Sequence, residues 1–302
     1  MPSFNTPAVS VIIPVRNSGR YFRECLDSVT RQTLQDIEII IIDDASTDGS
    51  DTVAEAYAAQ DPRITVIHHT ESTGAGPARN DGMAIAKGEY VAFMDSDDLY
   101  PTTDVLEKLY RTAVEKKANI CGGSLYKIDA DGNILDRKIP DQYFEKEEWI
   151  KYRDYQYDGG FYRFLYRNTF LKENDINFPA YRRFQDPVFF VTAMTRSKVF
   201  YIINIYTYAY RKKHKSITWD VYNLIGHLKG VIDILKISKK HKLQNLHNLM
   251  IKNLIDTLHY KSKNYKTKIY ITKYILYAIL NIHWSSLNLR RKISIFTKIL
   301  FY

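Results

Sequence analysis

Short apolar runs alternate with amphipathic segments along the first third of the chain, which predicts alternating strands and helices. Buried strands are expected where β-branched and other apolar residues cluster, at residues 9–15, 37–42, 64–67 and 90–94. Helices are expected where apolar positions follow a helical period, at residues 20–32, 51–59 and 78–86. This alternation favours an α/β sheet with helices on both faces.

Polar residues directly follow three of the predicted strands, at residues 14–17, 43–48 and 95–98. Ligands of open α/β sheets bind beyond the carboxyl ends of the strands, so these segments form the candidate site. Asp95 and Asp97 are one residue apart, and on an extended backbone their side chains would lie on the same side and hold one divalent cation. A solvated acidic turn is the alternative interpretation of the same residues.

Composition limits the class of protein. The chain has 302 residues, of which 45% are hydrophobic and 25% are charged, so it can bury a substantial core. One large domain, or one domain with an appendage, is expected, and a disordered chain is excluded. Cys25 and Cys121 form no Cys-x-x-Cys pair and the sequence shows no secretory leader, which predicts the cytoplasm and no thiolate metal site.

Basic residues concentrate toward the C-terminus. Residues 211–302 contain 19 Lys and Arg against 3 Asp and Glu, a net charge of +16, whereas residues 1–210 carry −7. A basic segment on an acidic body predicts an anionic partner, such as a phospholipid surface or nucleic acid. A nucleic-acid-binding protein is disfavoured because no known binding motif accompanies the basic residues.

Six motifs, in chain order, resemble the family 2 glycosyltransferases, whose nucleotide-sugar-binding fold is called GT-A. The resemblance covers about residues 8–218, and its motifs are residues 9–17, 26–33, 41–48, 76–80, 87–90 and 93–98. It implies a Rossmann-like mixed sheet flanked by helices, with a C-terminal helical extension. Residues 1–218 would form the catalytic domain, with a nucleotide-binding half to about residue 100 and an acceptor half over 101–218, and residues 219–302 a basic amphipathic helical region.

The resemblance also implies which residues bind the nucleotide. Asp43 would accept a hydrogen bond from uracil N3, a task that suits a carboxylate because it is an acceptor only when ionised. Asp44 would support the same loop, although a cap on the next helix explains it equally well. Arg79 would face the nucleotide or its phosphates. The other expected donor contacts are Pro14, Val15, Arg16, Asn17 and Ser96.

By the same resemblance, Asp97 would ligate Mn²⁺ or Mg²⁺ directly, and Asp95 would contact ribose or the metal shell. The cation would neutralise charge on the departing nucleoside diphosphate. Asp98 would stabilise the following turn. Asp186 would be the catalytic base of an inverting transfer, at the start of a helix where Pro187 and the helix dipole favour a charged carboxylate. An N-cap is the alternative role for Asp186, and Gln185 stands where relatives commonly have Glu.

Two further segments carry expectations. Relatives close over the donor with a segment like residues 206–218, so Arg211, Lys213 or Lys215 would contact diphosphate and His214 would complete the metal shell; a solvated basic loop is the alternative. The region between about 122 and 180 is rich in aromatic residues that suit an acceptor site, with Trp149 and Tyr155 as candidates and residues 158–160 as a loop near the donor sugar.

The C-terminal region predicts amphipathic helices, with apolar stripes at Leu224, Leu228, Ile232 and Leu235, at Leu246, Leu249, Leu254 and Leu258, and over residues 269–282. Its longest apolar stretch is far short of the roughly 20 residues that span a bilayer. Such helices either lie on an anionic membrane surface or pack on the body or on a second subunit as a homodimer.

Together, these expectations predict a metal-dependent inverting glycosyltransferase that moves one sugar from a nucleoside diphosphate sugar, a UDP-sugar, to a glycan or lipid-linked glycan. The surface polysaccharide would be of the capsule or lipopolysaccharide kind, and the enzyme would sit on the inner face of a bacterial membrane. A polyprenyl-phosphate sugar transferase on the same fold is the alternative. A processive synthase is excluded because membrane spans and a Gln-x-x-Arg-Trp element are absent from the sequence.

Overall fold

Strand and helix alternate through the first part of the computed structural model, which describes residues 6–212, 220–260 and 282. Every element predicted there is confirmed, with ends shifted by a few residues. The strands are β1 (Val9–Val15), β2 (Ile37–Asp43), β3 (Ile64–His68) and β4 (Tyr90–Phe93). The helices are α1 (Tyr21–Thr30), α2 (Ser50–Ala58), α3 (Ala75–Ile85) and α4 (Val105–Glu115).

The second part of the chain completes the sheet and adds helices. Its strands are β5 (Ile120–Ile128), β6 (Ile134–Asp136), β7 (Glu148–Lys151), β8 (Phe164–Arg167) and β9 (Val199–Arg211). Its helices are α5 (Tyr152–Tyr155), a 3-10 turn (Phe161–Arg163), α6 (Asn168–Glu173), α7 (Gln185–Ser197), α8 (Val221–Lys240) and α9 (Gln244–Tyr260).

One mixed sheet of nine strands runs through the described residues in the order β3-β2-β1-β4-β8-β5-β9-β7, with β6 paired to β5. Strands β1, β2, β3 and β4 are parallel, and β8 is antiparallel to both β4 and β5. The carboxyl ends of β1, β2 and β4 therefore meet at one edge of the sheet. Strand β9 also ends there, because Leu99, just beyond the acidic motif, pairs with Ala209.

Pro14 lies inside β1, because the strand continues to Val15. The ladder between β1 and β4 ends at Ile12 and Phe93, so the missing N–H of Pro14 falls beyond the last pair with β4. The sheet therefore tolerates a proline next to the site.

Helices cover both faces of the sheet, as the continuous apolar strands predict. Side chains of β2 alternate between two apolar clusters: Ile39 and Ile41 pack with α1 and α4, whereas Ile40 and Ile42 pack with α3, α7, α8 and α9. This two-sided burial explains why residues 39–42 are apolar at every position, with no polar alternation.

The apolar stripe of α8 packs on the body of the protein. Leu224, Leu228, Ile232 and Leu235 are buried in the same cluster as α7, and Leu246 and Leu254 of α9 join them. Membrane contact through this stripe is therefore wrong for α8, because its side chains are already buried. No helix within the described residues is long and apolar enough to cross a bilayer. The predicted third helix lies outside the described residues except for Ile282.

Candidate functional site

The acidic motif after β4 forms a tight turn. The Asp98 N–H donates to the Asp95 carbonyl oxygen at 3.0 Å, so the expected extended backbone is wrong and the chain reverses over residues 95–98. The turn is held from β9: the Tyr208 hydroxyl donates to Asp98 Oδ2 at 2.9 Å, and the Arg211 N–H donates to Asp98 Oδ1 at 2.6 Å. Asp98 thus takes the structural part expected of it.

Negative charge is concentrated around this turn. Burial, followed by the charges of Asp97 and Asp95, raises the pKa of Asp98 well above its usual range. Burial and the same three carboxylates raise the pKa of Tyr210 to about 12. A site with this excess of negative charge favours a bound cation.

The residues present suit a metal ion that arrives with a diphosphate. Within the ranges described, no three His, Cys, Asp or Glu side chains form a group that could hold a metal alone. Mg²⁺ and ions like it are commonly held by one or two carboxylates, with substrate phosphates and water supplying the other oxygens. Asp95 and Asp97 fit that ligand set. His214, the third expected ligand, lies outside the described residues, as do Lys213 and Lys215.

Arg79 of α3 is buried beside the turn. Its Nη2 donates to Asp95 Oδ1 at 2.5 Å, and its guanidinium carbon lies 4.9 Å from the ring centre of Phe161 and 5.2 Å from that of Phe178. Arg79 Nε and Nη1 have no hydrogen-bond partner among the described residues. Buried N–H groups without a partner are costly, so these two suit an anionic ligand.

Asp186 lies in the first turn of α7, as predicted. Burial raises the pKa of Asp186, Arg79 opposes that rise, and Asp95 adds to it. The structure therefore brings Asp95, Arg79 and Asp186 close enough to interact, although they are far apart in the sequence. A raised pKa keeps this carboxylate nearer to the pH at which a general base works.

A second carboxylate interacts electrostatically with Asp186. Burial, with a contribution from the charge of Asp186, raises the pKa of Asp158 to about 6. Residues 158–160 were expected near the donor sugar, but the interaction between the two carboxylates was not predicted. The Gly-Gly pair after Asp158 predicted a turn, but no nearby residue in the sequence indicated that Asp186 would be its partner.

Three tyrosines that the sequence did not single out as site residues also lie near these carboxylates. Tyr162 stacks on Tyr208 with ring centres 4.2 Å apart and on Tyr210 at 5.9 Å. Tyr208 and Tyr210 are two residues apart on β9, so their side chains lie on one face of the strand. This spacing was the signal in the sequence that could have placed them together. Carboxylates of the site raise the pKa of all three, after burial as the largest cause.

The loops after β1 and β2 are joined to each other. Asn17 Oδ1 accepts a hydrogen bond from the Thr47 N–H at 2.8 Å. Asp43 accepts from the Ser46 N–H at 3.1 Å, and its other oxygen lies 3.1 Å from His68 Nδ1. Pro14 and Val15 are buried at the end of β1. The expected nucleotide-binding segments therefore lie side by side.

Asp44 does not cap α2. Burial alone would raise the pKa of Asp44, but hydrogen bonds from Ser72, His69 and the N–H groups of Thr73 and Gly74 lower it to about 2. The Thr73 N–H donates to Asp44 Oδ1 at 2.7 Å, and the Gly74 N–H donates to Oδ2 at 3.0 Å. Asp44 thus fixes the turn that begins α3, the helix that carries Arg79.

Two other expected donor contacts lie at the same edge. Arg16 is half-exposed, hydrogen-bonds to Ser72 and lies 4.0 Å from Asp44. Ser96 is buried, and its hydroxyl lies 2.5 Å from that of Ser18. These contacts join the acidic turn to the loop after β1.

Arg211 has a different environment from the one expected. Its buried guanidinium donates to Glu24 at 2.5 Å, to the Asp97 carbonyl at 2.9 Å, and to the carbonyls of Asp129 and Ala130 at 3.3 and 3.0 Å. These contacts use most of its N–H groups. Arg211 therefore braces the acidic turn in this structure, which corrects the expectation that it contacts diphosphate.

The aromatic candidates for sugar binding also have other partners. Tyr155 packs among aromatic rings and accepts a hydrogen bond from Arg163 Nη2 at 2.6 Å. Trp149 lies on the edge strand β7, against Tyr201 near the start of β9. Because β9 reaches the acidic turn only at its other end, Trp149 is remote from the site.

Comparison with known proteins identifies the family. Residues 10–175 match the family model described as Glycosyl transferase family 2. The chain is 35% identical over 230 residues to glycosyltransferase GlyG of Streptococcus pneumoniae, covering 72% of this chain and 74% of that protein. It is 34% identical over 242 residues to poly(ribitol-phosphate) beta-glucosyltransferase of Bacillus spizizenii, covering 76% of this chain but only 37% of the relative.

Solved structures share the fold. S. aureus TarS 1-349 in complex with UDP-GlcNAc superposes with a TM-score of 0.71 at 21% identity, over 92% of this chain and 82% of that one. Mannosyltransferase PcManGT from Pyrobaculum calidifontis, in complex with GDP-Man and Mn²⁺, gives a TM-score of 0.53 at 16% identity, over 99% and 88% of the two chains. With the family match and the site geometry, these findings establish that the chain belongs to glycosyl transferase family 2 and is a glycosyltransferase with the GT-A fold.

Proposed function

We propose that this protein is a metal-dependent inverting glycosyltransferase that moves one sugar from a UDP-sugar to a glycan or lipid-linked glycan of the cell surface. The observation that carries the proposal is the meeting of Asp95, buried Arg79 and Asp186 at one edge of the sheet. A cation site, an anion-binding guanidinium and a base are the three elements that sugar transfer from a nucleoside diphosphate requires.

The donor would lie along the loops after β1 and β2. One oxygen of Asp43 contacts His68, and a carboxylate oxygen can accept more than one hydrogen bond, so Asp43 can also accept from a uracil N–H. The structural likeness to TarS in complex with UDP-GlcNAc supports uridine as the base. Arg79, with two N–H groups that lack partners among the described residues, would bind the diphosphate.

Asp95 and Asp97 would hold Mn²⁺ or Mg²⁺, which, when bound, stabilises the negative charge of the leaving diphosphate as a Lewis acid. The fold shared with PcManGT in complex with Mn²⁺ supports this assignment. The remaining requirement is proton removal from the acceptor hydroxyl. Asp186 would perform it from the side of the sugar opposite the diphosphate, which inverts the anomeric centre.

Two relatives support a cell-surface product. One is the poly(ribitol-phosphate) beta-glucosyltransferase, and another is the putative teichuronic acid biosynthesis glycosyltransferase TuaG of Bacillus subtilis, 38% identical over 133 residues. Synthesis of such a polymer would place the enzyme in the cytoplasm, at the inner face of the membrane. The acceptor would enter near Asp158 and the tyrosines that line the site.

Thermal unfolding with a panel of nucleotide sugars tests the proposal. A ligand that binds only the folded state stabilises it by about 2.7 kcal/mol at a concentration of 100 times its Kd. We expect the largest rise in melting temperature for a UDP-sugar with Mn²⁺, and little rise with the same sugar and a chelator. Asp97→Ala should remove the metal-dependent part and the turnover of donor. Equal stabilisation with and without Mn²⁺ would contradict the metal assignment.

A further inference from the structure

A second pocket lies far from the acidic turn, where three connections of the chain meet. It has a volume of about 290 Å³ and is lined by Lys151, Tyr152, Arg153, Thr195, Lys198, Val199, His241 and Leu243. These residues come from the junction of β7 and α5, the turn between α7 and β9, and the turn between α8 and α9. Asp186 and this pocket lie at opposite ends of α7, about 16 Å apart along its axis.

Positive charge accumulates around the pocket. Lys151, Arg153 and Lys198 line it, and Arg196 and Lys240 stand close enough to His241 to lower its pKa, with burial as the largest cause and Lys198 contributing as well. Arg153 has a long ion pair with the exposed Asp154, at 4.0 Å. Within the part of the chain described, the basic side chains of Lys151, Arg196 and Lys198 have no ion-pair partner. Like charges held together in this way favour an anionic ligand.

Two apolar side chains are exposed on the strands that adjoin the pocket. Val199 is 36% exposed and pairs with Lys151 across β9 and β7. Trp149, 45% exposed, stands two residues before Lys151 and therefore on the same face of β7. Exposed tryptophan beside lysine and arginine is typical of protein surfaces that contact membrane headgroups.

We infer that this pocket and the adjoining edge strand β7 dock the protein on a bilayer, with the phosphate of an anionic phospholipid among Lys151, Arg153 and Lys198 and with Val199 and Trp149 of the strand edge at the headgroup level. A hydrophilic polyanion would match the basic residues but would leave the two apolar side chains in water. An anionic phospholipid matches the basic residues with its phosphate and the apolar side chains with its bilayer interface. The inference rests on the proposed function only for the presence of a membrane-linked acceptor, and it replaces the buried stripe of α8 as the docking surface.

Docking through this end also uses part of the basic C-terminal segment. The turn between α8 and α9 supplies Lys240, His241 and Lys242, next to the pocket. The apolar residues of α8 and α9 build the core, and the basic residues of their connecting turn add to the charge that faces the lipid. Deletion of residues 219–302 would uncover that core, so point substitutions are the sharper test.

Sedimentation of the full chain with vesicles tests the inference. The vesicles are phosphatidylcholine alone, or phosphatidylcholine with phosphatidylglycerol. We expect binding to the anionic vesicles that weakens with salt. The double substitution Lys151→Gln with Lys198→Gln should weaken it about 30-fold, because each basic residue near an anionic surface contributes about one factor of five. The matched control is the double substitution Lys236→Gln with Lys252→Gln on α8 and α9. It removes the same net charge and should weaken binding to anionic vesicles far less.

The apolar part has its own pair of variants. Trp149→Ser should weaken binding to anionic vesicles several-fold, whereas Tyr222→Ser, which removes another exposed ring on α8, should not. Equal losses in the pocket and control variants would show that total charge, not this pocket, governs binding and would overturn the inference. No vesicle binding, or retention by polyphosphate but not by vesicles, would also overturn it.

Donor turnover in solution separates this inference from the proposed function. The pocket variants should turn over a UDP-sugar at the rate of the unmodified protein, since the pocket is remote from the acidic turn. If no donor is turned over by any variant while vesicle binding follows the expected order, the proposed function fails and the docking surface stands. If turnover is normal and the protein does not bind vesicles, the docking surface fails and the proposed function stands.

Discussion

The ion pair between Arg79 and Asp95 permits a quantitative test of how the site is built. Replacing Arg79 with Met keeps an unbranched side chain between the rings of Phe161 and Phe178 but removes the charge. Asp95 would then lie near other carboxylates without its partner. Breaking a buried ion pair costs about 3–5 kcal/mol. Because the Asp95 side chain is 25% exposed, we expect the lower end, about 3 kcal/mol.

A double-mutant cycle isolates the pair. Arg79→Met, Asp95→Asn and the double variant are unfolded in urea, and the free energy of unfolding is extrapolated to water. The double variant should be about 2 kcal/mol more stable than the sum of the single effects predicts, because neither charge is then left alone. A coupling below about 0.5 kcal/mol would refute the view that the two charges depend on each other.

The same variant tests the ligand role of Arg79. Loss of hydrogen bonds from a charged donor costs about 1.5–3 kcal/mol each, so UDP affinity measured by calorimetry should fall at least tenfold in Arg79→Met. With UDP affinity measured in the absence of metal, Asp95→Asn with intact Arg79 is the control for a change of charge in the turn without loss of the guanidinium. Unchanged UDP affinity in Arg79→Met would assign this residue to stability alone.

Three further predictions follow from single contacts. Asp186→Asn should lower turnover by about 10²–10⁴-fold while UDP binding is retained, and normal turnover in a rate assay would remove Asp186 from the role of base. The Asp44 pKa of about 2 lies below its usual value. The ionised carboxylate therefore stabilises the fold by up to about 2 kcal/mol above pH 4, and this stabilisation is lost as pH falls through about 2. Asp44→Asn should flatten that part of the curve of unfolding free energy against pH. Gly122→Ala would place a Cβ 2.1 Å from Phe164 Cδ1, against a buried ring, and should destabilise the fold by about 1–3 kcal/mol in urea unfolding, whereas an unchanged midpoint would show that the ring can move.

Local sequence pattern was sufficient for the elements of the first third of the chain, residues 9–94. The continuous apolar run of residues 39–42 predicted a strand buried on both faces, and the structure places its alternate side chains in two separate clusters. The polar segments after β1, β2 and β4 were expected at one edge, which the parallel pairing of these strands confirms. These inferences depend on periodicity and strand direction, and both are local properties of the chain.

Contacts between distant segments were not predictable in the same way. Tyr208 and Arg211 hold Asp98 from more than 100 residues away, and no local pattern in β9 indicates that partner. For the same reason Arg211 was expected to face diphosphate, whereas its donors are used inside the protein. The amphipathic pattern of α8 correctly marked an apolar face, but amphipathicity alone does not distinguish a protein core from a lipid surface.

Asp44 ties the loop expected to read the nucleotide base to the turn that begins the helix of Arg79. One carboxylate therefore sets the relative position of the two segments that we propose bind the base and the diphosphate. Exchange of only the loop after β2 for that of a relative with another base preference would disrupt four hydrogen-bonding partners in residues 69–74. If these segments bind the donor as proposed, we expect a change of donor specificity in this scaffold to require both segments to be transplanted as one unit.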